Sequence, residues 1–428
     1  MVKSNRRASN DNLNRMRLKP LYYGWVMVII STVILAANAM VFYSFGVFLK
    51  PVTAEFNWDR GALSLAFSIN FLLAGFLAIF VGRWADKYGP RFFVTANGLL
   101  TALGFFLLSQ VHSLGEVYLI WGLPLSIAGS CSFIPMTSAI PRWFIAKKRA
   151  LALSLTLSGF GIGGMVVPLL AEWLIADYGW RQAYIVLAVI ILVLVTSLAQ
   201  LMKTPAQLGL DSLAARPQAS QSPVAPFQEG FSLGQAIRTG RFWLFSGFLF
   251  CLMFTSQMIF THIVPHAVDI GLPGAMAASI LSVFAVALLA GRLVVSFLGD
   301  KMGTRPTLAV GVVMAMVSLV WLLFASNTWM FYLFAVLWGV AWGGIYPMQM
   351  MLMAEFFGLK FLGIIQAALT FIGTVGGAAG APLAGYIFDV TRSYRIAFLG
   401  GLVLCGMALV LGFILLFRRS GKSVTVAE

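Results

Sequence analysis

GRWADKYGPR at residues 82–91 and SFLGDKMGTR at residues 296–305 are one short loop written twice. They match at Asp86/Asp300, Lys87/Lys301, Gly89/Gly303 and Arg91/Arg305, and every matched pair lies 214 positions apart. The same offset, without a gap, superposes Gly159, Gly163 and Pro168 on Gly373, Gly377 and Pro382, and Arg181 on Arg395. An offset of half the 428 residues, recurring over roughly 100 residues of each half, marks a duplicated unit.

Around these loops the chain is apolar. It is 60% hydrophobic and 10% charged, where soluble domains carry roughly 25% charged residues. Successive apolar runs of about 18 to 28 residues fill most of it, each long enough to cross a ~30 Å hydrocarbon layer as a helix. Twelve spans are expected, at 22–49, 61–82, 92–110, 115–140, 150–176, 181–202, 243–268, 275–298, 307–326, 329–353, 361–387 and 395–417. The predicted fold class is therefore an all-α membrane protein of two pseudo-symmetric six-helix bundles. Six is even, so the copies share one orientation, and one binding site is expected between them.

The first bundle is expected over 1–203, with a basic arm over 1–20, and the second over 239–428. Residues 204–238 join them, carrying Pro205, Pro217, Pro223 and Pro226 among Ser, Gln and Ala; this composition reads as a flexible linker with a short interfacial helix over 231–238. With twelve spans both termini share a side. That side then holds 23 of the 29 Lys and Arg residues and the other side five, with Arg292 inside a span. The positive-inside bias puts both termini in the cytoplasm and accounts for the net charge of +15 without a nucleic-acid partner.

Enzymatic chemistry is disfavoured. The sequence has three His, no deep carboxylate pair, no metal-ligand cluster and no phosphate loop, so neither a catalytic residue nor a cofactor is expected. Cys131, Cys251 and Cys405 fall inside spans without paired spacing and read as small packing residues.

The duplicated loop, D-K-x-G-x-R in both copies, resembles that of the major facilitator superfamily, and the resemblance covers essentially the whole chain. It implies a gating role for Asp86, Lys87, Gly89 and Arg91 and for Asp300, Lys301, Gly303 and Arg305. Within the superfamily, RWFIAKKRALALSLTLSGFGIGG at 142–164, GWR at 179–181 and YYGW at 22–25 resemble monocarboxylate porters, and THIVPHAVDIGLP at 261–273 resembles helix 7 of bacterial monocarboxylate porters and oxalate/formate antiporters. Gly159, Gly161, Gly163 and Gly164 allow helix 5 to approach a neighbour closely.

Arg292 is the one charge placed well inside a span, at a cost of roughly 2.5 to 3.5 kcal/mol on insertion scales. Its span neighbours supply no acid. Glu172, the nearest candidate, sits near the opposite end of its helix, roughly 15 Å away along the axis. A guanidinium in a cavity is a bidentate site for a carboxylate; the other reading is an Arg that snorkels to the interface. The resemblance implies the first, since monocarboxylate porters carry a helix 8 Arg four residues after an Asp. Here that Asp is replaced by Leu288, the family's helix 1 Lys aligns with Tyr43, and helix 11 has no cation.

Other candidates to line the cavity are Asn38, Tyr43, Gln257, His262, Tyr346, Gln349 and Gln366. His262 can hydrogen-bond or titrate near neutral pH, or rest as a neutral ring on a carbonyl. His266, one turn on, is expected at the aqueous mouth. Trp338, Trp342 and Tyr346 share one helix face and would wall an apolar cavity.

Together these point to secondary transport of a small organic anion, a lactate- or pyruvate-like monocarboxylate. A proton is the favoured coupling ion and the inner membrane of a bacterium the expected location. An organic-anion exchanger or a drug exporter of the same fold is the second transporter reading. A sensor or scaffold that binds without carrying is the reading from another class.

Overall fold

The computed structural model describes residues 2–144, 146–203, 231–358 and 361–417. Side chains of residues 2–22, and of Asp86, Lys87 and Asp300, lie outside what it describes, as does 204–230, most of the expected linker. Every regular element among the described residues is a helix. The chain divides into two compact units, residues 1–58 with 69–224, and residues 59–68 with 225–428.

The first unit holds α1 (Val2–Tyr43), α2 (Phe45–Phe56), most of α3 (Arg60–Tyr88), α4 (Pro90–Leu108), α5 (Leu114–Gly122), α6 (Pro124–Ser130), α7 (Phe133–Ala139) with a 3₁₀ turn (Ile140–Trp143), and α8 (Ala146–Gln200). Two of these depart from the expected spans. The first span does not stop near 49: the chain breaks at Ser44 and runs on as helix to Phe56, where Asn57 turns it in the left-handed region. Pro51 sits inside α2, in its second turn, and has no amide to donate to the carbonyl of Val47.

The fourth span, expected as one helix over 115–140, is three short ones. Pro124 has no N–H to continue the ladder, and the backbone leaves helical geometry at Leu123, so the carbonyl of Trp121 turns to side chains. Asn70 Nδ2 at 3.1 Å and Ser126 Oγ at 2.8 Å donate to it instead. Inside a bilayer such a break is tolerated only when side chains take over the freed backbone group. In α8, Gly179 (φ 79°, ψ 161°) turns the chain, so this element is two helices in series, as the spans 150–176 and 181–202 require.

The second unit holds the start of α3, then α9 (Leu233–Ile237), α10 (Gly240–Asp269), α11 (Gly274–Met302), α12 (Thr304–Leu322), α13 (Thr328–Phe357), α14 (Leu362–Thr391) and α15 (Arg395–Phe417). The short α9 carries a full capping box between Ser232 and Gln235. Among the described residues ten helices are long and apolar enough to cross a membrane. Leu151–Gln200 holds two spans, and the broken segment α5–α7 supplies the twelfth. On α15 the exposed residues Ile396, Leu399, Val403, Met407, Val410 and Ile414 form a continuous apolar stripe, which water would penalise and lipid accepts.

Glycine sets the helix crossings within each unit. In the first, Gly159 and Gly163 lie against the carbonyls of Thr32 and Ala36 on α1. In the second, the equivalent crossing of α10 and α14 uses Gly376 and Gly380, which lie against the carbonyls of Phe250 and Phe254. The repeat thus preserves the crossing while shifting its glycines by three residues from Gly373 and Gly377.

Candidate transport site and duplicated loops

Arg292 is half-buried on α11. The turn that carries it is pressed against α13: a side-chain carbon on Gly343 would stand 2.8 Å from the Arg292 backbone nitrogen, and one on Gly291 would stand 2.6 Å from Val340 Cα. This contact brings Tyr346 into electrostatic reach of Arg292. Trp342, Tyr346 and Gln349 follow one another along one face of α13, and Trp342 Nε1 and Gln349 Oε1 are buried without a hydrogen-bond partner. Buried polar atoms are normally satisfied, so their polarity is available to a solute or to water. Trp338 stacks towards Phe334 and is fully buried.

The remaining candidates are distributed. In the first unit Asn38 is 7% exposed with neither amide atom bonded, and Tyr43 packs its ring on Phe42 and Phe160. In the second, Gln257 is buried on α10 and Gln366 half-buried on α14.

His262 is drawn into a different cluster. Its Nε2 lies 2.7 Å from the Ala381 carbonyl and its Nδ1 lies 3.1 Å from the Tyr394 hydroxyl. A carbonyl only accepts, so Nε2 carries the proton, and in the neutral ring Nδ1 accepts from Tyr394. The Tyr394 oxygen in turn accepts from Arg60 Nη1 at 2.8 Å. Arg60 forms a two-pronged pair with Asp269, at 2.5 and 3.0 Å, and lies over the Phe388 ring at 3.9 Å. Asp389 accepts from the amides of Arg60 and Gly61 at 3.0 and 2.8 Å, capping α3. His266, expected at an aqueous mouth, is half-buried among the rings of Phe331, Tyr394 and Phe398.

Sequence reading missed Arg60, Asp269, Asp389 and Tyr394. The signal was present: Asp269 and Tyr394 stand 214 positions after Glu55 and Trp180, the same offset as the duplicated loops. In the first unit Glu55 pairs with Arg181 and accepts from Trp180 Nε1.

The duplicated loops share their geometry. Gly89 (φ 79°, ψ 163°) and Gly303 (φ 85°, ψ 164°) take a conformation that is essentially glycine's alone, and each starts the next helix. Arg91 Nε donates to Gln200 Oε1 at 3.0 Å, Arg305 pairs with Glu355, and Lys301 is exposed.

Comparison with known proteins agrees with this architecture. The Major Facilitator Superfamily model matches residues 31–279 and 248–428. Monocarboxylate transporter 13 of Rattus norvegicus is 29% identical over 396 residues, covering 91% of this chain and 88% of that protein. The oxalate:formate antiporter of Oxalobacter formigenes is 23% identical over 367 residues, covering 84% and 85%. Among solved structures, a bacterial homologue of the human lysosomal transporter Spinster superposes with a TM-score of 0.75 at 15% identity over 94% of this chain and 99% of that one. The nucleoside transporter NupG does so with a TM-score of 0.71 at 15% identity over 93% and 99%. The chain is a multi-pass membrane transporter of the Major Facilitator Superfamily, similar in sequence to its monocarboxylate-transporter and oxalate/formate relatives.

Proposed function

We propose that the protein carries a small monocarboxylate of the lactate or pyruvate kind, with the substrate carboxylate received by Arg292. The observation that carries this reading is a half-buried guanidinium on a membrane-spanning helix, beside Tyr346 and one face of α13 with unsatisfied Trp342 and Gln349. A planar guanidinium offers a carboxylate two parallel N–H bonds in a fixed fork, and a single Arg suits a monoanion better than a dianion. The names of the relatives in both directions, monocarboxylate transporter and oxalate:formate antiporter, support a carboxylate as the cargo. Asn38, Tyr43, Gln257 and Gln366 are proposed as polar complements.

Transport proceeds by alternating access, with the two copies of the duplicated loop as gates and a bundle on each side of a linker at 204–238. The protein resides in a bacterial inner membrane with both termini in the cytoplasm, following the bias of basic residues. Proton symport is the coupling we assign. Leu288 in place of the family's acid favours a second reading, electroneutral exchange of organic anions.

The test is uptake of labelled lactate and pyruvate into proteoliposomes, with competitors and with or without an inward proton gradient. Inhibition by several short monocarboxylates, with no effect of sugars or cationic dyes, is the expected result. Competition by dyes instead would point to a drug exporter, and binding without flux to a sensor. Uptake that ignores the gradient but needs an anion inside would replace symport with exchange.

A further inference from the structure

The duplication gives each half one acid at the same place, but the two acids have chosen different partners. In the first unit Glu55 pairs with Arg181, and Trp180 donates to the same carboxylate. At the 214-residue offset stand Asp269, Arg395 and Tyr394. Asp269 does not pair with Arg395: among the described residues no ion pair to Arg395 is formed, and its side chain is exposed. Asp269 holds Arg60 instead, with both oxygens engaged, and Tyr394 turns its hydroxyl to the same guanidinium.

The segment that Asp269 holds is the first turn of α3, which belongs to the second unit over residues 59–68, while the rest of the helix belongs to the first. Its seat is shaped for close approach. A side-chain carbon on Gly61 would stand 2.7 Å from Tyr386 N, and one on Gly385 would stand 2.6 Å from Gly61 Cα. Polar groups hold its first residues there: Asp389 on the amides of Arg60 and Gly61, Asp269 and Tyr394 on the guanidinium. Ser64, one turn on, is fully buried 3.5 Å from His262 Nε2.

We propose that Asp269 is a switch carboxylate that exchanges partners. It pairs with Arg60 when the first turn of α3 is docked, and with Arg395, its repeat-equivalent partner, when that turn leaves. Pairing with Arg395 keeps Asp269 satisfied in the undocked state, so the two states stay close in free energy. This role does not depend on which solute is carried.

The test needs no substrate. Ser64→Cys, in a chain whose Cys131, Cys251 and Cys405 are changed to Ala, is alkylated by a membrane-permeant maleimide, and its rate reports undocking. Adding Arg60→Gln is expected to raise the rate by about tenfold, the ratio that about 1.4 kcal/mol of lost docking produces. Adding Arg395→Gln, at an exposed position that should fold normally, is expected to lower it several-fold, while Arg395→Lys restores it. A rate unchanged or raised by Arg395→Gln overturns the exchange. A well-folded Arg60→Gln variant that labels no faster overturns the switch altogether.

Discussion

A side-chain carbon on Gly343 would stand 2.8 Å from the backbone nitrogen of Arg292. The position of the half-buried guanidinium therefore depends on a glycine in another helix. Gly343→Ala must push α11 and α13 apart or distort them, at a cost of about 1 to 3 kcal/mol for overpacking. Thermal stability in detergent should fall accordingly, and transport should fall further than stability predicts, because Arg292 moves with the helix. A variant with full flux would show that the helix contact does not set the site.

Gly303 and Gly89 sit in a backbone region that a Cβ enters only under strain. Alanine at either position should cost of order 1 to 3 kcal/mol. Melting curves of Gly303→Ala and Gly89→Ala should shift down by similar amounts, since the two φ/ψ pairs are nearly superposable. An unchanged melting temperature in either would contradict the loop geometry.

The Arg305–Glu355 pair is nearly half exposed on both sides, 45% and 44%. Exposed pairs stabilise by roughly 0 to 1 kcal/mol after screening, so Glu355→Gln should leave the melting temperature nearly unchanged. If the 296–305 loop is a gate, the same variant should still alter the transport rate several-fold and respond to salt. Equal, small effects on both readouts would assign the pair to static packing.

Burial pushes the Tyr394 phenol up, and Arg60 beside it opposes the shift without cancelling it. A group that binds its proton more tightly in the folded state contributes stability that is fully present below its unfolded value. That stability is lost as pH climbs from about 10 through the folded value. Tyr394→Phe should therefore show a shallower loss of thermal stability above about pH 10 than the parent chain. An identical alkaline slope would show that other tyrosines set it.

Much of the fold was legible because hydropathy and an exact 214-residue offset are global signals that no single side chain can obscure. The errors fell where local chemistry overrode length. Pro124 broke a run that hydropathy reads as one helix, and Asn70, some fifty residues earlier, made the break tolerable. Leu123 and Ser132 carry no hint of this by themselves. At the site, Arg292 stood out because an ionised group within an apolar run is conspicuous. Arg60, Asp269 and Tyr394 did not, because each lies at a helix end where a polar residue is ordinary. Their convergence is a matter of packing. Of the two readings of His262, a cavity residue or a neutral ring resting on a carbonyl, the second describes its bond to Ala381, and the contacts to Ala381 and Tyr394 arise from residues 119 and 132 positions away.

The most direct test of the central claim is uptake of labelled lactate and pyruvate into proteoliposomes holding the parent chain, Arg292→Ala or Arg292→Lys. With normal folding in all three, transport by the parent and loss in both variants is predicted, because lysine cannot reproduce the two-pronged fork. Full activity in Arg292→Ala would contradict the account and leave Arg292 as a side chain that reaches for the membrane interface.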